Sequence, residues 1–356
     1  MKKVILTMAM MAVIMLTANA QSHTHTVSNN PAGGAQFSDM QSAINASNLG
    51  DTLLVEGTVT PYLPPCFQCG SVNWNKQLVV IGNGFNPNKS NPITTKFFGL
   101  NLSNGGNNTV FYGVEFTQTV SSQNSSISGY DFEDCYFDQT FAMSSCTNLV
   151  LRNCVFNNPS ISSLAYPDNN FIMSNLTFIS CIFNGSFDGN NQDYSSTFDH
   201  CLFLSSSIVS TAINAFHING AIFTNCIFMN NTDFSRISNS TFDNNMARLS
   251  SILPNGNNIG SNNIDINSPA SDPLFVSHNG SGYSASDNYN LQANSPAIGT
   301  GTNGCDMGLH GSTSHFSERG EVLIAPLIRR MTINNTSVAP NGNLNVTIHA
   351  TTPTDH

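Results

Sequence analysis

The sequence predicts an all-β protein folded as a right-handed parallel β-helix, a stack of coils built from short strands. Between Phe111 and Phe242 one motif is repeated: an apolar residue, two corner residues, a small residue, any residue, then Phe. Its seven copies begin at Phe111, Phe132, Leu151, Phe178, Phe198, Phe223 and Ile237. Repeats at this short period indicate a solenoid in which each unit buries its apolar face against its neighbours. No 3.6-residue periodicity supports a helical solenoid.

The spacing within each copy predicts which side chains point inward. Cys154 and Phe156 are two residues apart, so on a strand they share one face while Val155 points the other way. Three residues separate Leu151 from Cys154, which requires a corner between them. Two interior files are expected, one of Cys135, Cys154, Cys181, Cys201 and Cys226 and one of Phe137, Phe156, Phe183, Phe203 and Phe228.

The corner residues fit a sharp bend. The position before the small residue is occupied by Gly113, Asp134, Asn153, Ser180, His200, Asn225 and Asn239. Asn, Asp and Gly tolerate the left-handed backbone that such a bend needs. A strand, a corner and a second strand in roughly 20 residues leave no room for a crossover helix, so consecutive coils must stack strand on strand, about 4.8 Å apart.

The two ends of the chain predict further segments. Residues 1–20 read as a secretory signal, with a basic start, an apolar run from Val4 to Leu16 and a cleavage site near Ala20. An uncleaved anchor is disfavoured because that run is short for a membrane span. Residues 21–315 are expected to form the β-helix, with a polar lead-in to Gly34 and a capping helix near 37–44. Residues 316–356 are expected to form a β extension, either a terminal hairpin or the start of a β-sandwich.

Composition limits the partners. Only 9% of the residues are charged and the formal net charge is −10, with scattered basic residues, which argues against nucleic acid. The ladder cysteines are expected to be free, because buried Cys behaves as a small hydrophobe. Cys66 and Cys69 lie in a loop that the ladder does not explain, and we expect a local disulfide there. A metal site would need a second ligand pair.

A resemblance rests on two short signatures. The closing one comprises Asp272-Pro-Leu-Phe-Val276, Tyr289-Asn-Leu291, Ser295-Pro-Ala-Ile-Gly299 and Asp306-Met-Gly308, and the opening one Gly50-Asp-Thr52 with Gly57-Thr58. Together with the repeats they cover roughly residues 35–312, and they resemble secreted bacterial right-handed β-helix repeat proteins, especially those of Bacteroidetes type. The resemblance implies this pectate-lyase-like fold and an exported, carbohydrate-related role, in a family that includes both polysaccharide lyases and proteins without known activity.

Candidate chemistry is sparse. Asp199-His200 faintly resembles the end of a pectate-lyase tetrapeptide, but both residues occupy corner positions, and a stacked polar corner is the competing interpretation. Asp188 and Asp193 flank a turn that could hold Ca²⁺ or be a plain Asx-rich turn. Glu133 and Arg152 occupy equivalent positions on adjacent coils and are expected to form a surface ion pair.

Two coils are longer than the others, because the final Phe of the motif recurs after 27 residues between Phe156 and Phe183 and after 25 between Phe203 and Phe228. These overlong coils offer a binding surface. They carry Tyr166 in one and Phe216 and His217 in the other, and could bind a ligand or simply cover the stack. The sequence therefore predicts a monomeric, secreted, periplasmic or surface-bound protein that binds glycan or acts at the cell surface, without a required cofactor. The alternative is a polysaccharide lyase, in which Ca²⁺ could take part, or, second to it, a glycoside hydrolase.

Overall fold

The computed structural model describes most of the repeat region. The described residues are 22–31, 34–64, 71–86, 93–122, 126–143, 145–157, 161–162, 172–185, 187–188, 192–204, 217–229, 236–247, 257–265, 275–278, 282–314, 316–318, 320, 327–333, 342 and 346–351. The chain folds as a right-handed parallel β-helix, which confirms the fold class. A complete coil passes through four short strands, one in each of four parallel sheets that we label A to D in the order the chain visits them.

Sheets A and B lie on either side of the predicted corner. Within the described residues sheet A has eleven strands: Thr24–Val27, Thr52–Val55, Val79–Ile81, Val110–Tyr112, Asp131–Glu133, Val150–Arg152, Thr177–Ile179, Thr197–Asp199, Ile222–Thr224, Thr241–Asp243 and Ile259–Ser261. Sheet B has nine in the same part of the chain: Lys96–Phe97, Glu115–Phe116, Tyr136–Phe137, Val155–Phe156, Ile182–Phe183, Leu202–Phe203, Ile227–Phe228, Met246–Ala247 and Ile264–Asp265.

Sheets C and D complete the coil. The described strands of sheet C are Val72–Trp74, Leu100–Leu102, Val120–Ser121, Phe141–Ala142, Ile161–Ser162 and Phe187–Asp188. Those of sheet D are Ser126–Ser128, Ser145–Thr147, Ile172–Ser174, Gln192–Tyr194, His217–Asn219 and Ile237–Ser238. Among the residues that the structure describes, short 3₁₀ turns lie at Asn104–Gly106 and Thr302–Gly304.

The corner prediction is confirmed. All seven predicted corner residues have a positive φ, between 50° and 62°. Six of them join sheet A to sheet B, while Asn239 belongs to a second series of left-handed residues that joins sheet D to sheet A. That second series comprises Gly129, Asn148, Asn175, Ser195, Gly220 and Asn239, and two further left-handed residues, Asn108 and Asn257, also precede strands of sheet A.

The interior files are also present. The five ladder cysteines are free and fully buried, and the rings of Phe156 and Phe183 stack with centroids 5.1 Å apart and planes 2° from parallel. A second phenylalanine file runs along the inner face of sheet A, where Phe198 and Phe223 stack at 4.6 Å. Rings of the two files meet edge to face, as Phe178 and Phe183 do at 5.4 Å. These arrangements are the favoured geometries of aromatic pairs.

The seventh repeat was assigned to the wrong register. Phe242 pairs with Phe223 in sheet A, so it is not the equivalent of Phe228. The residue opposite Phe228 is Ala247, and Asn245 takes the place that Cys226 holds one coil earlier. Because both corners use Asn and both strands carry Phe, the local pattern matches equally well one strand out of step.

The N-terminal region differs in part from the sequence interpretation. Thr24–Val27, in the segment expected to be a polar lead-in, is a strand that pairs in parallel with Thr52–Val55. The capping helix is present at Met40–Ala46 and buries Met40, Ala43 and Ile44 against the first coils. The Asp39 side chain caps it by accepting a hydrogen bond of 2.8 Å from Ser42 N.

A segment after the repeats covers the outer face of sheet B. Val155, Ile182 and Ile227 point away from the interior, yet they are fully buried. They form a second apolar cluster with Phe275, Tyr289, Ala297, Met307, Leu309 and Phe316. We call the described residues between 275 and 316 the C-terminal cover. It includes an antiparallel pair, Phe275–Ser277 with Asn288–Leu291.

The last described residues form two strands. Leu327–Ile333 pairs antiparallel with Val346–Thr351, and both strands lie within the segment 316–356 that is expected to form the β extension. A domain boundary near residue 315 stays a prediction.

Candidate functional site

The corner residues of successive coils hold the C-terminal cover by hydrogen bonds. Ser180 Oγ donates to Ser314 O at 3.1 Å, and Asn225 Oδ1 accepts from Thr302 N at 2.8 Å. One coil further along, Asn244 Nδ2 donates to Thr300 O at 3.1 Å. The sequence explains the residue types at these corners by the left-handed backbone alone, but their side chains also bind the cover. We call this row of corner side chains, from Ser180 to Asn244, the docking edge.

His200 lies in the middle of this edge. The strand Thr197–Asp199 ends there, and His200 turns the corner with φ 54°. Its side chain is 7% exposed, and Nδ1 lies 2.9 Å from Asp199 Oδ1. The ring N–H is not aligned with that oxygen, so the contact is electrostatic and not a formed hydrogen bond. Asp199 Oδ1 in turn accepts from Asn225 Nδ2 at 3.1 Å.

The cover brings a thiol to the other side of the imidazole. Cys305 Sγ lies 3.4 Å from His200 Nε2, although the two residues are 105 positions apart in the chain. Cys305 follows the turn Thr302–Gly304, and its carbonyl oxygen accepts from Gly301 N at 2.8 Å. Unlike the ladder cysteines, it is partly exposed.

Two glycines allow this close approach. A Cβ on Gly301 would lie 2.7 Å from Cys305 Sγ, and one on Gly311 would lie 2.8 Å from His200 Cδ2. Atoms do not approach so closely without displacement. The Cβ on Gly301 would also lie 2.9 Å from Asn225 Oδ1 and that on Gly311 would overlap Asp306 O, so larger residues would distort the cover itself as well as its approach to the corner. Partial burial, with the Asp199 carboxylate nearby, raises the pKa of the Cys305 thiol above its ordinary value. The thiol is thus the resting form.

Cys305, His200 and Asp199 have the residue types of a nucleophile, a base and an orienting carboxylate, in that order. Asp199 and His200 were expected from the sequence, whereas Cys305 was not. Its only sequence signal was its place within the closing signature, just before Asp306. Within the described ranges no group of three or more His, Cys, Asp or Glu side chains could hold a metal ion.

The outer face of sheet A is a second candidate surface. It consists of the first and third residues of each three-residue strand, which are partly or fully exposed along the stack. Ile222 and Ile259, for example, are 46% and 66% exposed, in contrast to the buried outer residues of sheet B. With eleven strands about 4.8 Å apart, the face extends roughly 50 Å.

A charged patch lies near the middle of this face. Arg152 Nη1 contacts both carboxylate oxygens of Asp131, at 2.8 and 2.7 Å, and lies 4.0 Å from Glu133 Oε2. The expected pairing of Arg152 with Glu133 is therefore the weaker of two contacts. Asp131 is nearer because it starts the strand that Glu133 ends, and the Arg152 side chain leans back along its own strand.

Tyr112 borders the patch, in register with Glu133. Burial, together with the nearby Glu133 and Asp131 carboxylates, raises the pKa of the Tyr112 hydroxyl. The pKa of Glu133 is also raised, by burial first and then by Asp131, while Arg152 opposes the rise. The patch thus combines an aromatic ring, a guanidinium held by Asp131 and a second carboxylate, Glu133, whose pKa is raised.

Other predicted site residues are only partly described. Tyr166, Phe216, Cys66 and Cys69 lie outside the described residues. His217 begins a strand of sheet D.

The proposed Ca²⁺ residues lie on two different strands. Asp188 ends a strand of sheet C, and Asp193 is the middle residue of a sheet D strand, in register with Met173 and Ile218. The metal role proposed for this pair stays a prediction, as do the roles of His217 and the disulfide.

A cavity of about 610 Å³ lies at the N-terminal end beside the capping helix. Its lining includes Asn29, Asp39 and Tyr62. Their polar groups already bond within the chain: Asp39 caps the helix, Tyr62 Oη donates to backbone carbonyls, and Asn29 Nδ2 donates to Thr60 O at 2.9 Å. This engagement makes the cavity a weaker candidate than the outer face of sheet A.

Comparisons with known proteins add little. No family model and no curated protein matches the chain. Among solved structures, the crystal structure of a pectate lyase aligns over 81% of this chain and 96% of that chain, with 14% identity and a TM-score of 0.41. At that identity and score the likeness says nothing about residues or chemistry. Within the described residues, no helix is long and apolar enough to cross a membrane.

Proposed function

We propose that this is an exported, monomeric protein that binds an extended neutral glycan along the outer face of sheet A, without a required cofactor. The observation that carries the proposal is the open patch of Tyr112, Asp131, Glu133 and Arg152 on that face. Export rests on the predicted signal with cleavage near Ala20, and places the protein in the periplasm, at the outer surface or outside the cell.

The patch has the chemistry that sugars require. The flat ring of Tyr112 suits the apolar face of a sugar ring, and its polar tip suits hydroxyl groups. Arg152 and Asp131 hold each other in place, so their remaining donors and acceptors are pre-positioned for hydroxyls. A net charge of −10 disfavours polyanionic polysaccharides. The overlong coils, with Tyr166, Phe216 and His217, are proposed to add contacts.

The test is binding of a polysaccharide panel, measured by affinity electrophoresis and calorimetry. We expect a neutral glycan to bind, Tyr112→Ala to weaken binding at least about tenfold, and Val59→Ala, an exposed change off the face, to have no effect. Failure of every neutral glycan to bind, or full binding by Tyr112→Ala, would contradict the proposal.

A glycoside hydrolase is a second candidate because of one pair on the same face. Asp131 and Glu133 are two residues apart on one strand, and Arg152 Nη1 lies 2.7 Å from Asp131 Oδ2 and 4.0 Å from Glu133 Oε2. These two oxygens are therefore less than about 7 Å apart, within the range of about 5–9.5 Å that separates paired catalytic carboxylates. Glu133, with its raised pKa, would be the acid, and Asp131, which Arg152 Nη1 contacts at 2.7 Å, the base.

A lyase is less well supported. It needs a basic side chain free to remove a proton, but Arg152 is held by Asp131 and Lys96 Nζ lies 3.3 Å from Glu115. Reducing ends released from a bound glycan and lost in Glu133→Gln would favour the hydrolase. Rising ultraviolet absorbance that is lost in Asp199→Ala or His200→Ala, or on chelation of Ca²⁺, would instead favour the lyase.

A further inference from the structure

The described cysteines fall into two groups. Cys146 and the five ladder cysteines are buried inside the coil, whereas Cys305 is partly exposed on the cover. Burial raises the pKa of the Cys154 and Cys201 thiols, and the full burial of all five ladder cysteines keeps reagents away from them. Only a thiol that can reach solvent and lose its proton can react, and among the described cysteines Cys305 meets the first condition.

The second condition, loss of the thiol proton, needs a nearby base, and His200 is in position to be that base. Its Nε2 lies 3.4 Å from Cys305 Sγ and can accept the thiol proton. Its Nδ1 lies 2.9 Å from Asp199 Oδ1, so a protonated imidazole would be stabilised by the carboxylate. Asp199 is held in turn by Asn225 Nδ2 at 3.1 Å. The corner itself does not need an imidazole, since the neighbouring coils turn with Ser180 and Asn225.

We propose that Cys305 is a base-assisted reactive thiol that exchanges with low-molecular-weight disulfides, with His200 as the base and Asp199 as a positioning residue. The Cys305 proton passes to His200 Nε2, and the thiolate attacks one sulfur of the disulfide. A new S–S bond forms to Cys305 as the old one breaks, and the departing thiolate takes the proton from His200. The incoming disulfide is the oxidant, and one equivalent of free thiol is released.

Because the resting form is the thiol, His200 matters most at pH values where the thiol is protonated. In alkaline solution the thiolate forms without help, so the contribution of His200 should disappear. A purely structural role for His200 would not show this pH dependence.

The test uses the full native chain with oxidised glutathione as the probe, and peptide mass spectrometry to follow each cysteine separately. We expect Cys305 to acquire glutathione while Cys146 and the ladder cysteines do not. His200→Asn keeps a residue suited to the left-handed corner, and should slow modification of Cys305 at least about tenfold at neutral pH. At alkaline pH its rate should approach that of the original chain.

Asp134→Asn, a corner change three coils away, serves as the matched control and should leave the rate unchanged. Continued protection of the ladder cysteines in His200→Asn would show that the coil is intact. The proposal is overturned if Cys305 is not modified, if His200→Asn reacts as fast as the original chain at neutral pH, or if its deficit persists unchanged in alkaline solution.

Discussion

The thiol of Cys154 donates a hydrogen bond to the backbone carbonyl of Phe132, 3.3 Å away on the preceding coil. Cys181 does the same to Leu151 O, and Cys226 to Phe198 O. At each corner the chain leaves sheet A, and the thiol also lies within reach of the carbonyl two residues before it, as Cys154 Sγ does at 3.2 Å from Arg152 O. Asn245 Nδ2 replaces the thiol in the next coil, donating to Phe223 O at 2.9 Å. The cysteine file is therefore a file of donors as well as a file of small apolar side chains.

This role predicts the effect of removing the donor. Cys154→Val keeps an apolar side chain but removes the hydrogen bond of the thiol, and should lower the free energy of unfolding by about 0.5–1.5 kcal/mol. Cys154→Ser, which keeps a donor, should lose less. Urea denaturation of the two variants makes the comparison, and a Val variant as stable as the original chain would contradict the donor role.

Loss of a stacked ring should cost more. Phe183 lies between Phe156 and Phe203, with ring centroids 5.1 and 4.9 Å away. Phe183→Ala should lower the free energy of unfolding by about 3–5 kcal/mol, because a cavity replaces the ring. Phe183→Leu, which fills part of the space, should cost less. A small loss in the alanine variant, measured by urea denaturation, would mean that the file can collapse around a missing ring.

Substitutions of Asn225 can test its hydrogen bonds to the cover separately from its role in the left-handed corner backbone. Asn225→Gly keeps a residue suited to φ 57° but removes the bonds to Thr302 N and Asp199. We expect a loss of about 1–3 kcal/mol and faster proteolysis within the cover. Asn225→Ala should be worse by about 1 kcal/mol, since it adds left-handed strain, yet milder than Phe183→Ala. Unchanged protease resistance in Asn225→Gly would contradict the docking role.

The exposure of two isoleucines distinguishes the covered sheet B from the open sheet A. Both point outward from the coil, but Ile182 on sheet B is fully buried and Ile222 on sheet A is 46% exposed. Ile182→Asp should lower the free energy of unfolding by more than about 3 kcal/mol, because it buries a charge without a partner. Ile222→Asp should stay within about 0.5 kcal/mol. Equal effects in thermal denaturation would mean that the cover does not protect sheet B in solution.

The surroundings of Asp51, at the N-terminal end of the coil stack, predict that the stability of the fold decreases in acid. Burial raises the pKa of its carboxyl, but hydrogen bonds from His23 N (2.7 Å) and Asn48 N (2.8 Å) outweigh burial and set it below the ordinary value of 3.8. A depressed carboxyl pKa stabilises the fold above the ordinary value, and that stability is lost as the pH falls through the folded value.

Asp51→Asn should therefore be less stable than the original chain at neutral pH, and the difference should shrink as the solution is acidified below about pH 4. Thermal melts across this range measure it. A difference that does not depend on pH would show that the Asp51 charge contributes nothing.

Local pattern was sufficient for the coil itself. The step of two between Cys154 and Phe156 places both on one face of a strand, and most residue types at the corners tolerate the left-handed backbone that the bend needs. Both properties depend on neighbours in the chain, so the sequence predicts them directly. Its one error of register, at Phe242, arose where two corners share the same residue types and only strand pairing distinguishes them.

Contacts between distant segments were decided by the tertiary structure. Val155 and Ile182 read as outward residues, and a period of two cannot tell whether an outward face meets water or the C-terminal cover. The choice of Asp131 over Glu133 as the partner of Arg152 depends on where one side chain leans across two strands. The approach of Cys305 to His200 depends on how a cover 105 residues away docks on the corners, which no local spacing encodes. By itself the sequence determined the stack, its core and its corners; the tertiary structure decided which face is covered, which stays open and which thiol meets a base.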